Sequence, residues 1–249
     1  MNLLLVEPGE IGPDGLVTLT GRRCEHLRRV LGVTIGQRVR AGVVGGRLGR
    51  AEVLADDGVT LTLRLALTEP APAPLPIEVV LAIPRPKVLS RVVEAAASFG
   101  VARIDLTNAW RVEKSYLGSP RLAAVNLERA VRLGAEQGGT THLTPVTVHS
   151  RLMGLLDARW PADTAEAHKP ATRLLAHPAG EPIEEGELNW PLTLAIGPEG
   201  GWIEREVETF AARGFRPVTL GAPILRVEAA LPAALAQLLV LRRLGSRVD

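Results

Sequence analysis

The rhythm of apolar and polar positions changes at a run of alternating prolines, and the change divides the chain in two. Before it, short stretches rich in Val and Leu are cut by Gly and Asp, at 16–19, 38–44, 47–54 and 59–67. Spacing of that kind predicts strands joined by turns, hence a small β-barrel or curled sheet of about 70 residues. One piece, 24–31, reads as helical. The segment Thr68-Glu69-Pro70-Ala71-Pro72-Ala73-Pro74-Leu75-Pro76 then sets four prolines at alternate positions. Such a run suits neither a helix nor a sheet interior. It predicts a stiff linker over 70–76 between a first domain, 1–70, and a second, 77–249.

Beyond the linker, strand and helix patterns alternate. The run 77–83 is apolar but for Glu78, as in a strand covered on both faces. Residues 88–99 carry apolar positions three and four apart, with Gly100 placed to end a helix. Strands are predicted at 103–107, 143–148, 172–176, 192–196 and 217–220, and helices at 121–137, 203–213 and 228–244. The alternation predicts an α/β domain: a parallel sheet with helices on both faces. Two loops stand out. One strand ends in Gly197-Pro198-Glu199-Gly200-Gly201, another in Leu220-Gly221-Ala222-Pro223-Ile224-Leu225-Arg226. Loops at the carboxyl ends of strands are where such domains hold small ligands. A side chain at Gly200 is expected to fill space that the backbone needs against a ligand.

Composition narrows the chemistry. Aromatic residues make up 3% of the 249 residues, which disfavours a single-strand binder built on many stacking rings. The net charge is +2, and 26 of the 29 basic residues are Arg, the side chain better suited to bidentate phosphate contacts. A lone cysteine, Cys24, allows neither an internal disulfide nor a cysteine-based zinc site and fits a reducing cytosol. The N-terminus lacks the basic region of a signal peptide. The longest apolar stretch, 229–241, is broken by Pro232 and Gln237 and falls short of the roughly 20 residues a bilayer requires. A cytoplasmic protein without a membrane partner is expected. Walker A, G-x-S-x-G and G-x-G-x-x-G motifs are missing. The histidines His26, His142, His149, His168 and His177 show no metal-ligand spacing, so no metal is expected.

Arg22, Arg23, Arg28 and Arg29 place four guanidinium groups within eight residues. They read either as an edge contacting the phosphates of RNA or DNA, or as a solvated helix face with an internal Glu25–Arg29 pair. Arg85 and Lys87, with Arg91, form a second patch open to the same two readings.

The two loops, together with His26-Leu27-Arg28-Arg29-Val30-Leu31, Ile35-Gly36-Gln37, Phe99-Gly100-Val101 and Ala135-Glu136-Gln137, carry a resemblance. In order and spacing they resemble the RsmE-type 16S rRNA uridine-N3 methyltransferases of the SPOUT superfamily. The resemblance implies a PUA-like N-terminal β-barrel and a C-terminal SPOUT α/β domain with a deep trefoil knot, an exception to the rule against threaded chains. It implies a homodimer acting on 16S rRNA in the 30S subunit, with S-adenosyl-L-methionine as methyl donor. The cofactor would lie against Ala176 and His177, then Ile196, Gly197, Pro198, Glu199, Gly200 and Gly201, then Leu220, Gly221, Ile224, Leu225 and Arg226. Arg226 would stabilise negative charge, and Glu228, with Glu199 as the lesser alternative, would accept a proton or orient Arg226. Glu199 and Glu228 each precede a helix, so capping is the competing reading, favoured for Glu199. The chain departs from the family's usual residues at Arg85, Lys87, Ala95, Ser98, Thr140 and Ala229. Two other readings share its motifs: a non-catalytic RNA-binding protein with a degenerate knot, and a knotted methyltransferase for tRNA or another rRNA site.

Overall fold

A computed structural model describes residues 2–161, 171–184 and 188–245; His168 and the chain end at 246–249 lie outside them. The chain separates into two compact units. The first holds residues up to Pro74 together with Arg132–Leu143.

Its five-stranded sheet is made of β1 (Leu4–Val6), β2 (Leu16–Leu19), β3 (Arg38–Val43), β4 (Leu48–Asp56) and β5 (Leu61–Glu69), in the order β1-β3-β4-β5-β2. Period-two alternation does the work here: Ala51, Val53, Leu61 and Leu63 face inward, while Arg50 and Arg64 face solvent. Helix α1 (Gly21–Arg29) closes this core with Cys24 and Leu27. The strand β1 has no alternation to reveal it, because all three residues are buried. The second half of helix α4 (Ala124–Gly138) belongs to this unit, where Ala135 packs with Leu3, Leu5 and Leu48.

The second unit is built on six parallel strands: β6 (Leu75–Ala82), β7 (Val101–Thr107), β8 (Val146–His149), β9 (Arg173–Pro182), β10 (Leu192–Ile196) and β11 (Phe215–Thr219). Their order is β11-β9-β10-β6-β7-β8. Strand β6 already begins at Leu75, so the extended proline segment is shorter than 70–76. Pro76 is tolerated near the start of β6, where the register with β7 is irregular. Helices α2 (Pro86–Ser98), α5 (Leu152–Arg159), α6 (Glu204–Ala211) and α7 (Val227–Gly245) connect or cover the strands, with a short α3 (Lys114–Leu117). Helix α5 has no counterpart in the sequence reading. Strand β10 is buried along its whole length, Thr193 included, as its largely apolar run predicts.

Away from the loops, Asp105 of β7 is buried to 1% exposure among Arg103, Arg159 and His149, at 2.9, 2.6 and 2.8 Å. Burial pushes its carboxyl up, but the bonds from Arg103 and His149 outweigh that and hold it below the usual range. The group ties β7, β8 and α5 together. Among the described residues, no helix is long and apolar enough to cross a membrane.

Candidate functional site

Parallel pairing puts the carboxyl ends of the central strands on one edge of the sheet. The register sets Leu81 beside Ile196, Ala82 beside Thr107, and Leu175 beside both Ala195 and Pro217. The segments that follow therefore share this edge: 83–85 after β6, 108–113 after β7, 197–203 after β10 and 220–226 after β11. Ala176 and His177 come to the same edge, although they lie within β9 and not in a loop behind it. Pairing with β11 jumps from Leu175 to Glu181, so residues 176–180 bulge out of the ladder. The Nδ1 of His177 accepts from the Ala179 N–H at 3.2 Å.

The 197–201 turn is fixed from several sides. The Gly201 N–H donates to the Pro198 carbonyl at 2.8 Å, and Gly201 has φ +73, a conformation that favours glycine. Gly197 lies under the buried Trp202 ring, whose atoms would be 3.0–3.2 Å from a Cβ there. Arg111 donates to the Gly200 carbonyl at 2.5 Å. A Cβ on Gly200 would meet the flexible Arg111 side chain at 3.1 Å. The tight positions are thus Gly197 and Gly201; Gly200 is covered by an arginine that can shift.

Glu199 accepts from the Arg85 N–H at 3.0 Å, with the Arg85 guanidinium 3.8 Å away. It does cap a helix, but at the start of α2 and not of α6, the one it precedes. At α6 that place is taken by Glu206, which accepts from the Ile203 N–H at 3.0 Å and also from the Trp110 N–H at 2.8 Å. Arg111 and Glu206 thus connect the 108–113 segment to the turn. Neither is visible from local sequence, since their partners lie 89 and 96 residues away.

The 220–226 loop is open by contrast. Gln237 donates to the Leu220 carbonyl at 3.3 Å, and Thr219 pairs with Gly221 at 3.2 Å. The N–H groups of Ala222, Ile224 and Leu225 donate to no described residue. Ile224 is 86% exposed and Leu225 38%. The Arg226 carbonyl accepts the first bonds of α7, from Ala229 and Ala230. Its side chain is exposed without an ion pair among the described residues, and Glu228 sits in the first turn of α7.

The basic cluster in the first unit is largely neutralised. Arg22 bonds Glu136 at 3.1 Å, Arg23 pairs with Glu10, and Arg28 pairs with Asp56. Arg29 is exposed with no ion pair among the described residues, and the considered Glu25–Arg29 pair does not form. On the sheet Arg40 stands directly opposite Arg50, with Glu69 3.7 Å from Arg40 to offset the like charges, and Arg64 stands opposite Glu52. Arg85 and Lys87 are exposed at the start of α2. No cluster of three or more His, Cys, Asp or Glu that could hold a metal is present among the described residues.

Comparison with known proteins gives this arrangement a family. Residues 71–239 match the RNA methyltransferase domain family. The chain is 31% identical to the ribosomal RNA small subunit methyltransferase E of Treponema pallidum, over 96% of this chain and 91% of that protein. It is 29% identical to the enzyme of the same description from Synechocystis, covering 94% of this chain and 76% of that protein. Among solved structures it is similar to a ribosomal RNA small subunit methyltransferase E from Neisseria gonorrhoeae, bound to S-adenosyl methionine. The TM-score is 0.73 at 22% identity, covering 97% of this chain and 98% of that one, a likeness of α/β fold.

Proposed function

The chain belongs to the RNA methyltransferase domain family, and on that footing we propose that it methylates N3 of a uridine in 16S rRNA of the small ribosomal subunit, with S-adenosyl-L-methionine as donor. The observation that carries the reading is the pairing on one sheet edge of a fixed glycine turn, 197–201, with an open loop, 220–226. An adenosine needs backbone donors for its ring nitrogens and apolar side chains for its faces. The N–H groups of Ala222, Ile224 and Leu225, without an acceptor among the described residues, and the exposed Ile224 and Leu225 fit that need. The buried Trp202 Nε1, which has no acceptor among the described residues, leaves one more donor beside Gly197.

When bound, S-adenosylmethionine supplies an electrophilic methyl group on a positively charged sulfur. The chain's own task is to expose the base and manage its proton. Uridine N3 lies on the pairing edge, so the nucleotide must be unpaired or flipped out. N3 is also protonated at neutral pH, so its proton must leave as the N–C bond forms. On this reading Arg226, exposed and without an ion pair among the described residues, stabilises the uridinate. Glu228, in the next helical turn, is the candidate proton acceptor. Glu199 is engaged with Arg85 and serves the turn's geometry.

The same reading includes a trefoil knot formed around 176–180, 197–201 and 220–226. It is supported by α7, which leaves β11 at the sheet edge yet packs on α2 and β10, passing β9. It also includes a PUA-like fold for the first unit, a cytoplasmic homodimer, and RNA contacts from Arg29, Arg85 and Lys87. Arg22, Arg23 and Arg28 contribute less, being paired with carboxylates.

The test is methyl transfer from labelled donor to undermethylated 30S subunits, followed by mapping of the modified nucleotide. Label on one uridine of 16S rRNA is the expected result. Label on tRNA but not on 30S would move the reading to another knotted methyltransferase. No calorimetric binding of S-adenosylmethionine would defeat catalysis altogether.

A further inference from the structure

We propose that Trp110 is a stacking platform for an unpaired nucleobase, mounted beside the 197–201 turn; the assignment rests on the RNA-methylating reading above. Most large aromatic rings of this chain are packed away. Trp160, Phe215, Phe210 and Trp202 make a chain of edge contacts, with centroids 4.9–5.1 Å apart. Trp190 lies beneath the Arg242 guanidinium. Trp110 is 79% exposed and is the one aromatic among the exposed large hydrophobic residues described. A side chain of this size left in water has a hydrophobic face to offer.

Its mounting is rigid. The Val112 N–H bonds the Ala109 carbonyl at 3.0 Å, so Trp110 and Arg111 occupy the centre of a tight turn. Ala109 and Val112 are both buried, each 7% exposed, which anchors the turn at its two ends. The Trp110 N–H is held by Glu206 at 2.8 Å, and the neighbouring Arg111 is bonded to Gly200 at 2.5 Å. The backbone that carries the indole is thus fixed, so only the side-chain torsions are left to order on binding.

The surroundings choose the occupant. Arg111 and Lys114 follow the ring in sequence, and Arg85 meets the same turn through Glu199. Tyr116 stands close enough to feel both Glu199 and Arg85. Burial, then its bond to Glu113 and the charges of Glu113 and Glu199, raise its phenol above the ordinary value. Cations around an exposed ring next to the turn suit a nucleotide, with its phosphate on the cations and its base on the indole. Stacking has no sequence requirement, so the platform accepts the target uridine or the base beside it.

The experiment uses the intact protein with a single-stranded oligouridylate and, separately, undermethylated 30S subunits. Oligouridylate should quench the exposed indole emission saturably, and Trp110→Phe should lose that quenching while keeping affinity within about threefold. Trp110→Ala should weaken RNA binding about tenfold, the scale of one base–aromatic contact. Calorimetric affinity for S-adenosylmethionine should be unchanged in both variants, showing that the turn is intact. Unquenched emission, or Trp110→Ala binding RNA within twofold of the native chain, would overturn the platform. So would an indole already shielded from acrylamide in the free native protein, together with conversion of a dimer to monomers by Trp110→Ala; that result would make it a contact between copies. Full 30S methylation by Trp110→Ala overturns the platform and leaves the proposed function standing. Loss of oligouridylate binding in Trp110→Ala, with a native chain that methylates no RNA, does the reverse.

Discussion

The 197–203 turn and the 220–226 loop leave the same edge of the same sheet, yet they are built in opposite ways. In the first, Pro198 bonds Gly201, Arg111 holds Gly200, Glu199 reaches Arg85 and Trp202 lies across Gly197. In the second, three N–H groups have no described acceptor and two large apolar side chains face water. A prearranged wall contributes affinity by avoiding the cost of ordering, whereas an open wall contributes the groups the ligand itself satisfies. One half of such a site is finished by folding. The other is finished by binding.

Changes in the turn should therefore damage fold and binding together. The largest effect is expected from Gly201→Val, which forces a β-branched residue to φ +73. A cost of about 2 kcal/mol follows, and thermal melting should show a midpoint several degrees lower. Calorimetric affinity for S-adenosylmethionine should fall beyond detection. Normal melting and normal affinity would mean that the turn is not a fixed wall.

Gly197→Ala comes next. Its Cβ would press on the Trp202 ring at 3.0–3.2 Å, and the ring is buried against Phe210 with little room to retreat. Overpacking of one methyl costs about 1–2 kcal/mol, again read by melting. Gly200→Ala makes the internal control, because the atoms it meets belong to the flexible Arg111 side chain. It should stay within about 0.5 kcal/mol of the native chain. Arg111→Ala should cost about 1 kcal/mol for its lost bond to Gly200. It should reduce donor affinity several-fold by loosening the turn, measured by the same calorimetry.

These expectations show what was legible from sequence and what was not. The apolar run 192–196 and the glycines behind it announced a buried strand and a ligand loop, because both are local patterns. The helix 227–245 was equally plain. Strand β1 escaped notice, because three residues buried on all sides show no period. Helix α5 follows only two residues after β8, too little punctuation to separate the two. The bulge at 176–180 is set by the pairing of β9 with β11, which no stretch of β9 records. Side-chain partners were the least legible. Arg22, Arg23 and Arg28 looked like one basic edge, but Glu136, Glu10 and Asp56 neutralise them from elsewhere in the chain. Glu199, expected to cap the helix it precedes, instead bonds the start of α2, since only folding brings α2 beside the turn.

The smallest effect on stability, and the sharpest test of the contrast, is expected from Ile224→Ser. At 86% exposure this side chain gives the folded state almost nothing, so melting should move by no more than about 0.5 kcal/mol. If a bound adenosine covers it, the variant forfeits apolar burial that only the complex has, about 1.5 kcal/mol or more for a side chain of this size. Donor affinity should then fall roughly tenfold with the fold intact, the reverse of what a substitution in the turn does. A stability loss above about 1 kcal/mol would place Ile224 among the groups that folding itself completes, and the two loops would no longer differ in kind. Unchanged affinity with unchanged stability would instead remove 220–226 from the donor site.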